Sequence, residues 1–195
     1  MDIPLLCNNK YKKVIEEENN NISLVYTGSM HRDTANPEYL LKLLPKIENV
    51  RLYIYGNISD EIKNKLTSSS LYNRRIFLMG LKAHDEILRI QKEADILLNF
   101  GNSNPNMIPC KIFEYMGTGN NIISFTHSES DSSLPYMKKY PASLIVKEDE
   151  NLINENINSI NGFIKERYIK TDYFKLEEIF EKNTPNFFYY KLMEL

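Results

Sequence analysis

Short apolar runs alternate along this chain with segments of helical period, and glycine or asparagine closes several of the runs. Ile22 to Tyr26, Val50 to Tyr55, Ile76 to Met79, Asp95 to Phe100, Asn121 to Phe125 and Ser143 to Val146 read as strands. Between them, Tyr39, Leu40, Leu43, Leu44 and Ile47 fall at helical spacing, as do Ile62 with Leu66, and Ile87 with Leu88 and Ile90. Strands joined through helices by short connections run parallel, because a parallel pair needs a crossover. Ile96-Leu97-Leu98 is continuously apolar, the pattern of a strand covered on both faces. The expected fold is α/β, three layers (α/β/α) around a parallel sheet of about six strands. Residues 1–21, polar from Asn8 onward, read as a linker-like lead into a domain at 22–195. That domain ends in helical stretches at about 149–167, 172–182 and 185–195.

Composition narrows the function. A net charge of −2 lacks the basic excess of a nucleic-acid surface, so no nucleic-acid partner is expected. Cys7 and Cys110 fit no metal spacing, and two distant thiols suit a reducing cytoplasm, the expected location. No run approaches the roughly 18–20 apolar residues of a membrane span, and the first residues lack the basic start of a signal peptide. Walker and Gly-x-Gly-x-x-Gly loops are absent, as is a Gly-x-Ser-x-Gly elbow. His127, Glu129 and Asp131 superficially suggest a triad or a metal set, but a polar loop is the better reading. His31 and Arg32 either reach a phosphate or sit in a solvated loop, and His84 starts a helix.

In open parallel sheets, ligands bind at the carboxyl ends of the strands. Gly28, Gly56, Gly80, Asn99 and the 101–110 loop fall on that rim. The run from Pro109 to Ile123 is the richest stretch there. Pro109 suits a first helical position, and Gly119 suits the left-handed residue that ends a helix. Lys111 and Glu114, three residues apart, share a face near the amide-rich end. A lysine beside a helix N-terminus attracts phosphate, and a carboxylate one turn later accepts two hydrogen bonds from a diol. Diphosphate and ribose are the two parts of a nucleotide that need such groups.

Gly28, Tyr55-Gly56, Gly80, Ala94-Asp95 and Pro109 to Ile123 resemble the C-terminal, Rossmann-like domain of GT-B glycosyltransferases. The likeness is to the group-1 (GT4-like) enzymes, whose motif reads approximately P-S-K-I-x-E-Y-M-A-x-G-K-P-I. Here it is Pro109-Cys110-Lys111-Ile112-Phe113-Glu114-Tyr115-Met116-Gly117-Thr118-Gly119-Asn120-Asn121-Ile122, with Asn120-Asn121 in place of K-P. The resemblance implies a domain that binds a nucleotide-diphosphate sugar. Glu114 would hold the ribose, while Lys111 and the amides of Cys110 to Ile112 would face the diphosphate. The Gly28-Ser29 loop would approach the same phosphates. Gly80 to Lys82 and Asn99 to Gly101 would lie nearer the base. Asn106 stands where many relatives carry a glutamate that contacts the donor sugar.

The resemblance also implies no cofactor and no metal, since helix dipole and basic side chains would neutralise the leaving nucleotide. The sugar, a hexose, would go to a polysaccharide or lipid-linked acceptor. The catalytic base and acceptor site are expected on an N-terminal domain absent from this sequence or on a separate subunit. The isolated domain would then be inactive, and any peripheral membrane association would run through that absent domain. The alternative is a non-catalytic nucleotide-binding or pairing module of the same fold. The terminal aromatic helix, Phe187-Phe188-Tyr189-Tyr190 with Leu192, Met193 and Leu195, either docks on the core or leaves apolar surface for self-association.

Overall fold

Successive side chains of a strand point to opposite faces, and the first strand, β1 (Ile22–Thr27), divides its residues accordingly. Leu24 and Tyr26 enter one hydrophobic cluster, and Val25 enters the other. The same split recurs in β4 (Ile96–Phe100), where Ile96, Leu98 and Phe100 face one way and Leu97 the other. Both faces of the central strands are therefore covered, as the unbroken apolar runs required.

The computed structural model describes residues 21–32, 34–101, 110–166 and 171–194. Nearly all of the linker-like lead, and with it Cys7, lies outside these residues. The remaining strands are β2 (Val50–Tyr55), β3 (Ile76–Gly80), β5 (Asn121–Thr126) and β6 (Ser143–Lys147). All pairings are parallel, and the order across the sheet is β3-β2-β1-β4-β5-β6.

Helices α1 (Glu38–Leu43), α2 (Asp60–Thr67) and α6 (Ile153–Lys165) bury Leu40, Leu43, Ile62, Leu66, Ile157 and Ile160 against one face. On the other lie α3 (His84–Glu93), α4 (Lys111–Gly117), α5 (Leu134–Met137) and α7 (Tyr173–Ile179), contributing Ile90, Ile112, Phe113, Met116, Met137 and Leu176. The segment expected to stay helical through Ile47 leaves the α-helix at Leu43 and continues as a 3-10 turn, Leu44–Lys46. Pro45 lacks the N–H that another α-turn needs. Among the described residues, no helix is long and apolar enough to cross a membrane.

The last helix, α8 (Pro185–Met193), begins at Thr184, whose hydroxyl accepts from the Phe187 N–H at 3.3 Å. Its Tyr189, Tyr190, Leu192 and Met193 are between 61% and 71% exposed, so these side chains do not dock on the core.

The strand order fixes where a ligand can enter. From β1 the chain builds outward to β2 and β3, then crosses to β4 on β1's other side. The loops leaving β1 and β4 consequently diverge, and in open sheets of this kind the crevice between such loops is where ligands bind.

Candidate functional site

One wall of the crevice is built from bare backbone. Gly28, just beyond β1, has φ +141°, and Gly56, just beyond β2, has φ +129°, a region that side-chain-bearing residues rarely occupy. Their N–H groups extend the ladder past the strands, Gly28 to the Tyr55 carbonyl at 2.7 Å and Gly56 to the Gly80 carbonyl at 2.9 Å. A Cβ on Gly56 would stand 2.1 Å from the Gly28 oxygen, and one on Gly28 would stand 2.6 Å from Lys111 Nζ. The Tyr26 hydroxyl donates to the Ser29 carbonyl at 2.8 Å, and the Met30 N–H to the Asn57 carbonyl at 2.8 Å, so the turn is held on two sides.

The facing wall is α4. Ile112, Phe113, Tyr115 and Met116 are buried, which fixes the helix and turns Lys111 and Glu114 toward the rim, each half-buried. Cys110 is exposed at the helix entrance with its thiol free, and Gly119 closes the helix region at φ +73°. The N–H groups of a helix's first turn have no acceptor within the helix. Here they belong to the residues beginning at Lys111, beside the Gly28 turn. Lys111 Nζ donates to the Thr27 carbonyl. Burial pushes its pKa below that of an ordinary lysine, and the Glu114 carboxylate pulls the other way.

Thr27, the last residue of β1, gathers the rest. Its N–H donates to the Tyr115 hydroxyl at 3.0 Å, and that hydroxyl donates to the Thr27 carbonyl at 3.2 Å. Burial holds the Tyr115 phenol well above its usual range, so it stays neutral and serves as both donor and acceptor. Gln91 of α3, fully buried, donates to Thr27 Oγ1 at 2.9 Å and to Glu114 Oε2 at 3.1 Å. Its own oxygen is buried with no partner, a defect typically worth about 1–3 kcal/mol. Sequence reasoning missed Gln91 and the Tyr115 hydroxyl. The available signal was a glutamine on the apolar stripe of α3 beside Ile87, Leu88, Ile90 and Ala94.

Other expected residues fall elsewhere. Asn99 sits at the carboxyl end of β4, but its amide turns inward, donating to Ser124 Oγ at 2.9 Å and Ser133 Oγ at 3.4 Å. Asn106 and Pro109 lie outside the described residues. His31 and Arg32 are exposed in the turn after β1, and His84 opens α3. Asp131 is buried, one oxygen accepting from Ser133 N and Oγ at 2.9 and 2.8 Å ahead of α5. Among the described residues, no group of three or more His, Cys, Asp or Glu could hold a metal ion.

A six-stranded parallel sheet in this order, with a lysine, a glutamate and a glycine turn converging where the order reverses, defines a doubly wound, Rossmann-like protein. Residues 21–159 match the family model described as glycosyl transferases group 1, and the chain belongs to that family. None of the curated proteins matches it in sequence.

Solved structures share the fold at low identity. The lipopolysaccharide outer core galactosyltransferase WaaB, in its apo form, is 15% identical, with a TM-score of 0.67 over 98% of this chain and 55% of its own. HepE from Anabaena, solved with UDP, is 13% identical, with a TM-score of 0.58 over 90% of this chain and 50% of its own. TarM from S. aureus, a mutant solved with UDP, fondaparinux and a GlcNAc-glycerol, is 13% identical at TM-score 0.60, over 84% of this chain and 31% of its own. These are GT-B glycosyltransferases. The chain spans about half or less of the length of most of them.

Proposed function

We propose that this chain is the donor-binding half of a glycosyltransferase and takes a nucleotide-diphosphate sugar in the crevice between β1 and β4. The observation that carries this reading is the convergence of Lys111, Glu114 and the Gly28 turn at the reversal of strand order. Glu114 accepts hydrogen bonds from the ribose hydroxyls. Lys111 leaves the Thr27 carbonyl for the diphosphate, which also meets the first amides of α4, from Cys110 to Ile112, and the Gly28-Ser29 loop. The base lies toward Gly80 to Lys82, with the backbone from Asn99 to Gly101 as its wall.

Charge on the departing diphosphate is stabilised by the helix start and the ammonium, groups already in place before reaction. The hexose passes to a polysaccharide or lipid-linked acceptor. That acceptor and the catalytic base come from a second domain, a reading supported by the 55% and 50% of WaaB and HepE that this chain spans. The exposed apolar residues of α8 then offer surface for that domain or for a second copy of this chain.

The test is a titration of the chain with UDP, GDP and their sugars, read by thermal shift. At least one diphosphate should raise the melting temperature. Glu114→Gln should weaken it by about 10- to 100-fold through the lost charged hydrogen bonds. Lys111→Met should remove the preference for diphosphate over nucleoside. A panel with no shift at all refutes the donor-binding reading.

A further inference from the structure

The side-chain amide of Gln91 joins two parts of the crevice that come from distant points in the sequence. One N–H reaches Thr27 Oγ1 at 2.9 Å and the other Glu114 Oε2 at 3.1 Å. Turning the amide over would set its carbonyl against a carboxylate, two acceptors with no proton between them, so its orientation follows from chemistry. The chain of protons then runs one way. The Thr27 hydroxyl, having accepted from Gln91, gives its own proton to the Tyr115 hydroxyl at 3.2 Å. Tyr115 passes its proton to the Thr27 carbonyl at 3.2 Å. Glu114 is thereby tied to the last residue of β1, immediately before the Gly28 turn.

This arrangement has a cost and a support. The Gln91 oxygen is buried without a partner, whereas leucine or methionine at the same place on the apolar stripe would bury no polar atom. The backbone of Gln91 is clamped as well: Asn120 Nδ2 donates to its carbonyl at 2.7 Å, and the Tyr140 hydroxyl holds the Asn120 carbonyl at 2.6 Å. Asn120 is one of the two residues that replace K-P in the motif. A polar side chain kept at a penalty, with both donors spent on the rim and its backbone fixed, is built for position.

We propose that Gln91 is the positioning residue of the ribose grip. It holds Oε2 so that the Glu114 carboxylate presents its remaining acceptor sites to the two ribose hydroxyls at a set distance from the Gly28 turn. A carboxylate held in this way has less rotational freedom to lose on binding. The inference rests on the reading of Glu114 as the ribose acceptor. Gln91 acts only through the diol, so its loss is felt only by ligands that carry one.

Dissociation constants for UDP and GDP, and for their 2′,3′-dideoxy counterparts, decide the matter in the wild-type chain, Gln91→Met, Glu114→Gln and the double variant. Gln91→Met should weaken the ribonucleotide roughly tenfold, leave the dideoxynucleotide unchanged, and add nothing in the Glu114→Gln background. Thr27→Val, which removes the amide's other anchor, should show the same selectivity with a smaller loss, and takes over if Gln91→Met does not fold. Equal losses for ribo- and dideoxynucleotide reduce Gln91 to a structural residue and overturn the inference, as does no loss at all. If Glu114→Gln keeps full preference for the ribonucleotide, the ribose reading itself falls. If that preference disappears while Gln91→Met and Thr27→Val bind normally, only the positioning role falls.

Discussion

Strands β1 and β4 meet polar groups at both ends, and the two ends use them differently. At the amino end, the Ser23 N–H and hydroxyl donate to Asp95 Oδ2 at 2.9 and 2.8 Å, and the Asp95 N–H donates back to Ser23 Oγ at 3.0 Å. Those groups satisfy one another and stitch the strands together. At the carboxyl end, Lys111 donates to the Thr27 carbonyl beside a glycine turn, Glu114 accepts from Gln91, and the buried Gln91 oxygen goes unpaired. One end closes on itself; the other leaves a buried acceptor unpaired beside the groups proposed to meet the nucleotide. An unpaired buried acceptor carries a stability cost that a fully satisfied seam does not.

Substitutions at the two ends should therefore separate stability from binding. The largest effect is expected at Gly56→Val, where a Cβ 2.1 Å from the Gly28 carbonyl and a φ of +129° leave no room for adjustment. It should cost about 3 kcal/mol or more in chemical denaturation and abolish nucleotide binding with it. A denaturation midpoint like the wild type's would mean the two turns are not packed together. Next comes Asp95→Ala, which strands the Ser23 donors and should cost about 1–3 kcal/mol while nucleotide affinity stays the same. It is the mirror of Glu114→Gln, which should lose affinity with little change in the free chain's melting temperature. If both variants shift both quantities equally, the contrast between the ends does not hold.

The smallest effect concerns pH. Burial lowers the Lys111 pKa from 10.5, so the free chain gives up that proton sooner than an exposed lysine would. Diphosphate binding needs the ammonium, and affinity should fall as pH rises through the lowered value, before 10.5 is reached. Over the same window Lys111 holds its proton longer in the unfolded chain than in the folded one, so the contribution of that group to the stability of the free chain should rise with pH. Lys111→Arg keeps its charge and should flatten the alkaline fall in affinity. A fall that persists unchanged in that variant would assign the titration to another group.

What the sequence displayed was local. Strand positions followed from apolar runs and turn residues, and Lys111 and Glu114 stood out because one helical turn relates them. Gln91 did not stand out, because its meaning depends on Thr27, 64 residues away, and on Glu114, 23 residues away. Tyr115 stood in the motif with no role of its own, and its hydroxyl acquires one only once β1 lies 88 residues back along the chain but beside it in space. Asn99 was placed correctly at the end of β4, yet nothing in its neighbours in sequence told which way the amide would turn. Helix α5 is four residues long, too short for periodicity to reveal.

The contact between Gly28 and Gly56 limits how this crevice can change. Because a Cβ on Gly56 would strike the Gly28 carbonyl, and both glycines hold φ values that side-chain-bearing residues rarely adopt, neither can be replaced without shifting the turn. Variation in what the crevice accepts must come from residues that stand clear of that stack. Ser29, His31 and Leu81, all exposed along the same rim, are the ones to randomise when redesigning its preference.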